Sequence, residues 1–387
     1  MKNDVNLLPT PFTELLRPHN LAHSWERWEG KLSVGVYDND VREYFAIRNA
    51  VSLYDTSPIT QYRITGRDTA RFLDRLMARD MTKCRVGQAV YACWCDDAGK
   101  VVEDGTVFRL GDGDYLINVQ EHNLAWFEDT AYGFEVSIED VTEDYCSLAL
   151  QGPLSRRLLE EIGLSGIADL KFFRLAQTEL EGIPLLVART GFTGDLGYEL
   201  YLAPRDAERL WNLLWAAPIA VRLVPIGSHA LNYARIEAGF LQVNTDFIGA
   251  EHCLRPSQRR SPFELGFDWL VDLKKPGYFV GRRALEREKA AGGPRRRLVG
   301  LDIEGNKPAV DSFLYAGNKE VGRVTSAFWS PICKRNIALA TVEAGHDALG
   351  TELRADIWTT KELKIERSMR SARVVPRPFY DPPHKKS

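Results

Sequence analysis

Nine residues, Gly191-Phe-Thr-Gly-Asp-Leu-Gly-Tyr-Glu199, pack three glycines, two aromatics and two carboxylates between two extended runs. Val187-Ala-Arg189 before them closes an apolar stretch. Tyr198-Glu-Leu-Tyr-Leu202 alternates as a half-buried strand does. A stretch that reads strand, glycine-rich turn, strand has to fold as extended chain around a tight reversal, and Gly191, Gly194 and Gly197 predict positive-φ backbone there. Such a turn presents Glu199 at a fixed point on a wall. A glycine-rich hairpin with an exposed glutamate accounts for the same residues, so on this segment alone both readings stand.

At 387 residues and 44% apolar content the chain is too long for one compact unit, and two or three domains are expected. The formal charge is -3 with the signs mixed. No basic field is there to recruit nucleic acid or an anionic membrane, so neither is an expected partner. No apolar run approaches the ~18–20 residues that span a bilayer, and Met1-Lys-Asn-Asp-Val-Asn6 lacks the pattern of a secretory signal. The six cysteines follow neither disulfide nor zinc spacing. Free thiols in a cytoplasmic protein without a metal site are the expectation.

The pattern alternates. Residues 10–54 hold two helices, Pro11–Leu16 and Asp40–Arg48, the second with Val41, Tyr44, Phe45 and Ile47 on its apolar face. Gln61–Thr65 reads as a strand. A helix capped by Asp68 follows, then strands at Ala89–Cys95, Gly105–Leu110 and Tyr115–Val119, and a helix at Leu124–Tyr132. This makes a compact α+β unit. Residues 146–235 give strands at Cys146–Leu150, 181–189 and 198–203, with helices at Leu154–Gly163, Asp206–Ala216 and Ser228–Ala238. From Arg297 onward the chain is mostly β, with strands at Leu298–Asp302, Val321–Ser326, Ile337–Val342 and Ala372–Val375, a separate small domain.

Four ionisable positions could carry chemistry. Asp104 stands where a turn leads into the apolar strand Thr106-Val-Phe108, a place that a simple turn cap also occupies. Glu199 is the second. Arg235 lies on a helix whose apolar positions imply burial, and a buried guanidinium needs a carboxylate or a ligand. Glu237 reads as a helix-surface or capping partner. His122 and His229 have no nucleophile or second histidine at a useful spacing, and no phosphate-cradling loop or G-x-S-x-G elbow is present. Two carboxylates and an arginine suit a flat polar heterocycle, whose ring N–H and amino groups donate to carboxylates.

At these residues the chain resembles the glycine-cleavage T-protein (aminomethyltransferase) family and its tetrahydrofolate-dependent demethylase relatives. Tyr91 to Asp104 echoes the family's Tyr…Gly-Gly-x-x-Asp-Asp stretch, and Leu148-Ala-Leu-Gln-Gly-Pro153 its Ala-Leu-Gln-Gly-Pro. Arg189 to Glu199 matches Tyr-Thr-Gly-Glu-x-Gly-Tyr-Glu, and Arg235-Ile-Glu-Ala-Gly239 matches Arg-Leu-Glu-Ala-Gly. Ser261-Pro-Phe-Glu-Leu-Gly266, Phe279–Leu285 and Thr325–Pro331 with Asn336–Ala340 complete a series of seven in order.

The resemblance implies an α+β fold of three domains in a ring, with a central folate channel. The expected division is an α/β folate-binding domain at 1–54 and 138–248, and a ferredoxin-like α+β insert at 55–137. A connecting segment at 249–296 and a C-terminal β-barrel at 297–387 follow. It further implies tetrahydrofolate as the cofactor, Asp104 as the catalytic residue steering the proton at folate N5, and Glu199 on the pterin edge. Arg235 would complete the polar wall, with Tyr91 and Phe192 near the ring.

The chain departs from the pattern mainly on the donor side. Phe192 replaces a tyrosine, Leu241-Gln-Val-Asn244 loses another aromatic, and Glu103 replaces the first Asp of the Asp-Asp pair. Trp25–Gly35 and Tyr54-Asp-Thr-Ser-Pro-Ile-Thr60 stand where T-proteins carry Phe-Ala-Gly-Trp-x-Met-Pro and Asp-Val-Ser-His-Met-Gly. The expectation is transfer of a one-carbon unit to tetrahydrofolate from a small methylated or aminomethylated donor. One alternative is an authentic T-protein served by a lipoylated carrier protein. Another is a non-catalytic folate binder of the iron–sulfur-assembly type, whose Lys-Gly-Cys-Tyr motif becomes Lys275-Pro-Gly-Tyr278 without its cysteine.

Overall fold

The computed structural model describes residues 7–167 and 169–386. A six-stranded sheet runs in the order Leu175–Leu180, Ile183–Ala188, Gly197–Leu202, Cys146–Gln151, Val51–Asp55, Leu223–Pro225, antiparallel except for the last pair. Its central strands are buried on both faces and read as near-continuous apolar runs for that reason. The helices Ser155–Glu161 and Ala207–Ala216 cover one face, with Leu158, Leu210 and Leu214 against Leu148, Leu150 and Leu200.

The other face is covered twice. Over Tyr54 and Ala149 lie the helices Asp40–Asn49 and Ser228–Glu237, through Tyr44, Ile47, Ala230 and Ala234. The first of these is N-capped by Asn39, which accepts from the Arg42 backbone N–H at 2.9 Å. Val41 and Phe45, expected on its inner face, are exposed, and the buried positions are Glu43, Tyr44, Ala46, Ile47 and Arg48. Over Leu186, Ala188 and Tyr201 lies a second sheet, through Ala89, Phe108 and Leu116.

That second sheet is antiparallel, in the order Gln88–Cys95, Val101–Gly111, Asp114–Val119, Thr60–Thr65, Ser137–Asp140. Its last strand carries the unit on to Asp140. The helices Thr69–Leu76 and Leu124–Thr130 close its far face over Tyr62, Ile64, Trp94 and Ile117. Asp68 does not cap the first of them: its carboxylate accepts from the Glu135 backbone N–H at 3.1 Å and from Arg71.

Six antiparallel strands close the C-terminal barrel in the order Arg296–Ile303, Arg335–Glu343, Lys319–Ser330, Phe313–Ala316, Glu352–Lys361, Lys364–Val375. The three bodies touch pairwise. Phe108 of the second sheet meets Tyr201 of the first, with ring centroids 5.6 Å apart. Cys93 and Val101 share a core with Ile236 and with Leu298, Ile337 and Leu339 of the barrel.

Candidate active site

The glycine-rich turn is built around one side chain. Gln151, from Ala149-Leu-Gln-Gly-Pro153, accepts from the Thr193 hydroxyl at 2.7 Å and donates to the Thr190 carbonyl at 3.2 Å. A β-carbon on Gly191 or Gly197 would lie 2.1–2.2 Å from that amide, which is why both are glycine. Only Gly194 has the positive φ expected of all three, at +69°, and a β-carbon there would meet Ala238 at 2.5 Å.

The turn delivers Glu199 to the seam between the two covers of the first sheet. Its register partners are Ala188, packed under the second sheet, and Ala149, packed under the helix pair. Thr190 and Tyr201 donate to its Oε2 at 2.7 and 2.9 Å, and Oε1 has no protein partner among the described residues. Burial raises the Glu199 carboxyl above its ordinary value against the pull of those two hydroxyls.

Asp104 lies on the face of the second sheet whose Phe108 packs on Tyr201. It pairs with Cys93, two residues from Tyr91, so Tyr91 and Asp104 lie diagonally on one face, and the Tyr91 hydroxyl donates to Asp104 Oδ2. Asp104, Thr106 and Phe108 project to one side of their strand, and Phe108 is the residue that meets Tyr201. Burial pushes the Asp104 carboxyl up to about 6, a shift the Tyr91 hydroxyl opposes. Edge-on to Phe267 and stacked on Trp269, the Tyr91 ring has centroids 6.0 and 5.9 Å away. Glu103, one residue back, points to the other face, where its carboxylate holds the backbone N–H groups of Gln120 and Glu121.

A row missed in the sequence crosses this face. Tyr91, Thr106, Asn118 and Gln61 are successive cross-strand partners on four strands. Gln61 is fully buried with both amide atoms unpartnered, and so is Oδ1 of Asn118. Buried polar groups are rarely left so unless something else completes them. No local signal marks the row, because it exists only once the strands pair.

Arg235 stands apart from the two carboxylates. It is 0% exposed, and its guanidinium donates to Asp246, Ser326, Asn232 and the Phe240 carbonyl. These bonds tie the helix to the barrel strand Lys319–Ser330, so Arg235 holds the wall together. Glu237, expected at the surface, is equally buried: Tyr44, Arg48 and Ser330 all donate to it. Phe192 stacks on Phe240 with centroids 5.8 Å apart.

The family model for the GCVT N-terminal domain matches residues 15–275, and that for the glycine cleavage T-protein C-terminal barrel domain matches 296–381. An aminomethyltransferase of Geobacillus kaustophilus is 36% identical over 344 residues, 87% of this chain and 89% of that relative. A trimethylamine-oxide aldolase of Ruegeria pomeroyi is 35% identical over 355 residues, 88% of this chain, and the chain spans 43% of that relative's length. The crystal structure of the glycine cleavage system aminomethyltransferase T from Bartonella henselae superposes over 97% of this chain and 99% of its own, with a TM-score of 0.85 at 22% identity. Among the described residues no helix is long and apolar enough to cross a membrane. On this evidence the chain belongs to the glycine-cleavage T-protein family of aminomethyltransferases.

Proposed function

We propose that this enzyme moves a one-carbon unit from a small methylated or aminomethylated donor to N5 of tetrahydrofolate, with Asp104 managing the proton and Glu199 holding the pterin. The observation that carries this reading is the pair of carboxylates, Asp104 and Glu199, both raised by burial, on the two facing sheet surfaces. Their surroundings fit the heterocycle: an open carboxylate oxygen on Glu199 and the Tyr91 ring beside Asp104.

Tetrahydrofolate, when bound, supplies a secondary amine able to take up the carbon. Glu199 Oε1 would hold the pterin by accepting from its amino and N–H groups. Asp104, with a carboxyl near 6, is mostly ionised at neutral pH yet still exchanges its proton there, which suits a group that holds or moves a proton at the reacting nitrogen. Tyr91 keeps that carboxylate in one rotamer by its hydrogen bond. Orientation supplies most of the acceleration. Arg235 acts through the wall it secures.

We favour a small donor because the departures from the T-protein pattern cluster at Trp25–Gly35 and Tyr54–Thr60. The first of these folds as the hairpin Ser24–Trp28 and Lys31–Val36. The six free cysteines agree with a cytoplasmic setting. Mass spectrometry of methylated amines, sulfonium compounds and methoxy-aromatics incubated with enzyme and tetrahydrofolate tests the reading. Loss of one methyl-derived carbon that depends on tetrahydrofolate is expected. Turnover only with a lipoylated carrier protein would replace the small donor by that partner, and binding of tetrahydrofolate without any turnover would favour the non-catalytic alternative.

A further inference from the structure

Arg377 follows the last barrel strand, in a segment that runs back to the helix Ser228–Glu237, where the Phe379 and Tyr380 backbone N–H groups donate to the Glu237 carbonyl at 2.8 and 3.1 Å. Its side chain threads between three glycines. A β-carbon on Gly239 would lie 3.4 Å from Cβ of Arg377, one on Gly300 2.8 Å from its Cγ, and one on Gly266 2.8 Å from its Nη2. Two of these glycines end the strings Arg235-Ile-Glu-Ala-Gly239 and Ser261-Pro-Phe-Glu-Leu-Gly266, whose glycines are otherwise unexplained by the site.

The head of this arginine is unfinished. It is half-buried, burial pulls its pKa down, and among the described residues it has no hydrogen-bond or ion-pair partner. Its nitrogens are not among the sealed unpartnered atoms, so they remain reachable. The nearby carboxylate is already taken up: Asp246 accepts from Arg235, the Gln242 backbone N–H, Thr325 and Ser326. Two guanidinium groups therefore share one carboxylate, leaving one positive charge over. Gly239 leads directly into Phe240, stacked on Phe192. A partly desolvated guanidinium favours a two-pronged carboxylate, and the aromatic pair that follows Gly239, at the base of the Arg377 side chain, suits an aryl group.

We propose that Arg377, seated among Gly239, Gly266 and Gly300, binds a carboxylate of the glutamyl tail of tetrahydrofolate. This rests on the tetrahydrofolate reading above. The test measures affinities of the full-length enzyme and its Arg377→Gln and Arg377→Lys variants for tetrahydrofolate and for 6-methyltetrahydropterin, which lacks the tail. Arg377→Gln is expected to weaken tetrahydrofolate about 10- to 100-fold and to leave 6-methyltetrahydropterin unchanged. Arg377→Lys, which keeps the charge but not the fork, should lose less. Equal weakening of both ligands, or of neither, overturns the proposal. A native enzyme that binds neither ligand removes the tetrahydrofolate reading itself.

Discussion

The hydroxyl of Tyr91 donates to the carboxylate of Asp104 from a diagonal position on the neighbouring strand, on the face of the second sheet that also carries Phe108. The bond opposes the burial that raises Asp104. In the wild type kcat/KM should therefore rise with pH through about 6 as the carboxylate ionises. Tyr91→Phe removes the opposing bond and should move that limb to higher pH. A limb that stays in place under Tyr91→Phe would separate Asp104 from the titration.

Asp104→Asn should cut turnover by about tenfold or more without loss of folding. The sign of its effect on stability follows from linkage. A carboxyl raised in the folded state binds its proton more tightly than the unfolded chain does, so stability from this group falls as pH rises from about 4 to about 6. Asp104→Asn should flatten that part of the stability curve. Thermal melts across the window, set beside turnover, check both outcomes.

Glu199→Ala is expected to weaken tetrahydrofolate by about tenfold or more while leaving the melting of the unliganded enzyme little changed, since the carboxylate it removes is itself held at a desolvation cost. Calorimetric titration and a ligand-free melt separate the two effects. A large melting loss with unchanged affinity would recast Glu199 as structural.

Arg235→Met should behave in the opposite way. It takes from Asp246 its direct ion-pair partner in a sealed interior and leaves only the more distant Arg377 charge, a loss of about 3 kcal/mol. Denaturant unfolding should register that loss before any ligand is added.

Gln61→Met should stabilise the unliganded enzyme by on the order of 1 kcal/mol, because it removes two buried amide atoms that have no partner. A lower unfolding midpoint would mean that the amide is already bonded in solution.

Asp104 and Glu199 stand out in the sequence because each sits in a short string whose local geometry is self-contained, a turn into a strand or a turn between strands, whereas Tyr91 is marked only by the family resemblance. What surrounds them does not stand out. Thr190 and Tyr201 become partners of Glu199 only through strand geometry, and Gln61 joins Asn118 only through pairing across 57 positions of sequence, from 61 to 118. Arg235 read as a site residue because the sequence announces a buried guanidinium and cannot say whether protein or ligand completes it. Asp246 and Ser326 completed it. In the barrel, Phe313–Ala316 is too short to stand out. Glu352–Lys361 carries charged residues and the exposed Trp358 along its outer side, so neither announces itself as a strand.

The barrel strand Lys319–Ser330 sends one hydroxyl, Ser326, to Arg235 and another, Ser330, to Glu237. Ser326 accepts from Arg235 and Ser330 donates to Glu237, and both charged partners are sealed from solvent, two residues apart on one helix. The C-terminal barrel is therefore no interchangeable module. A chimera that grafts a foreign barrel onto this N-terminal portion has to restore hydrogen-bond donors or acceptors at those two points, or the junction will come apart from within.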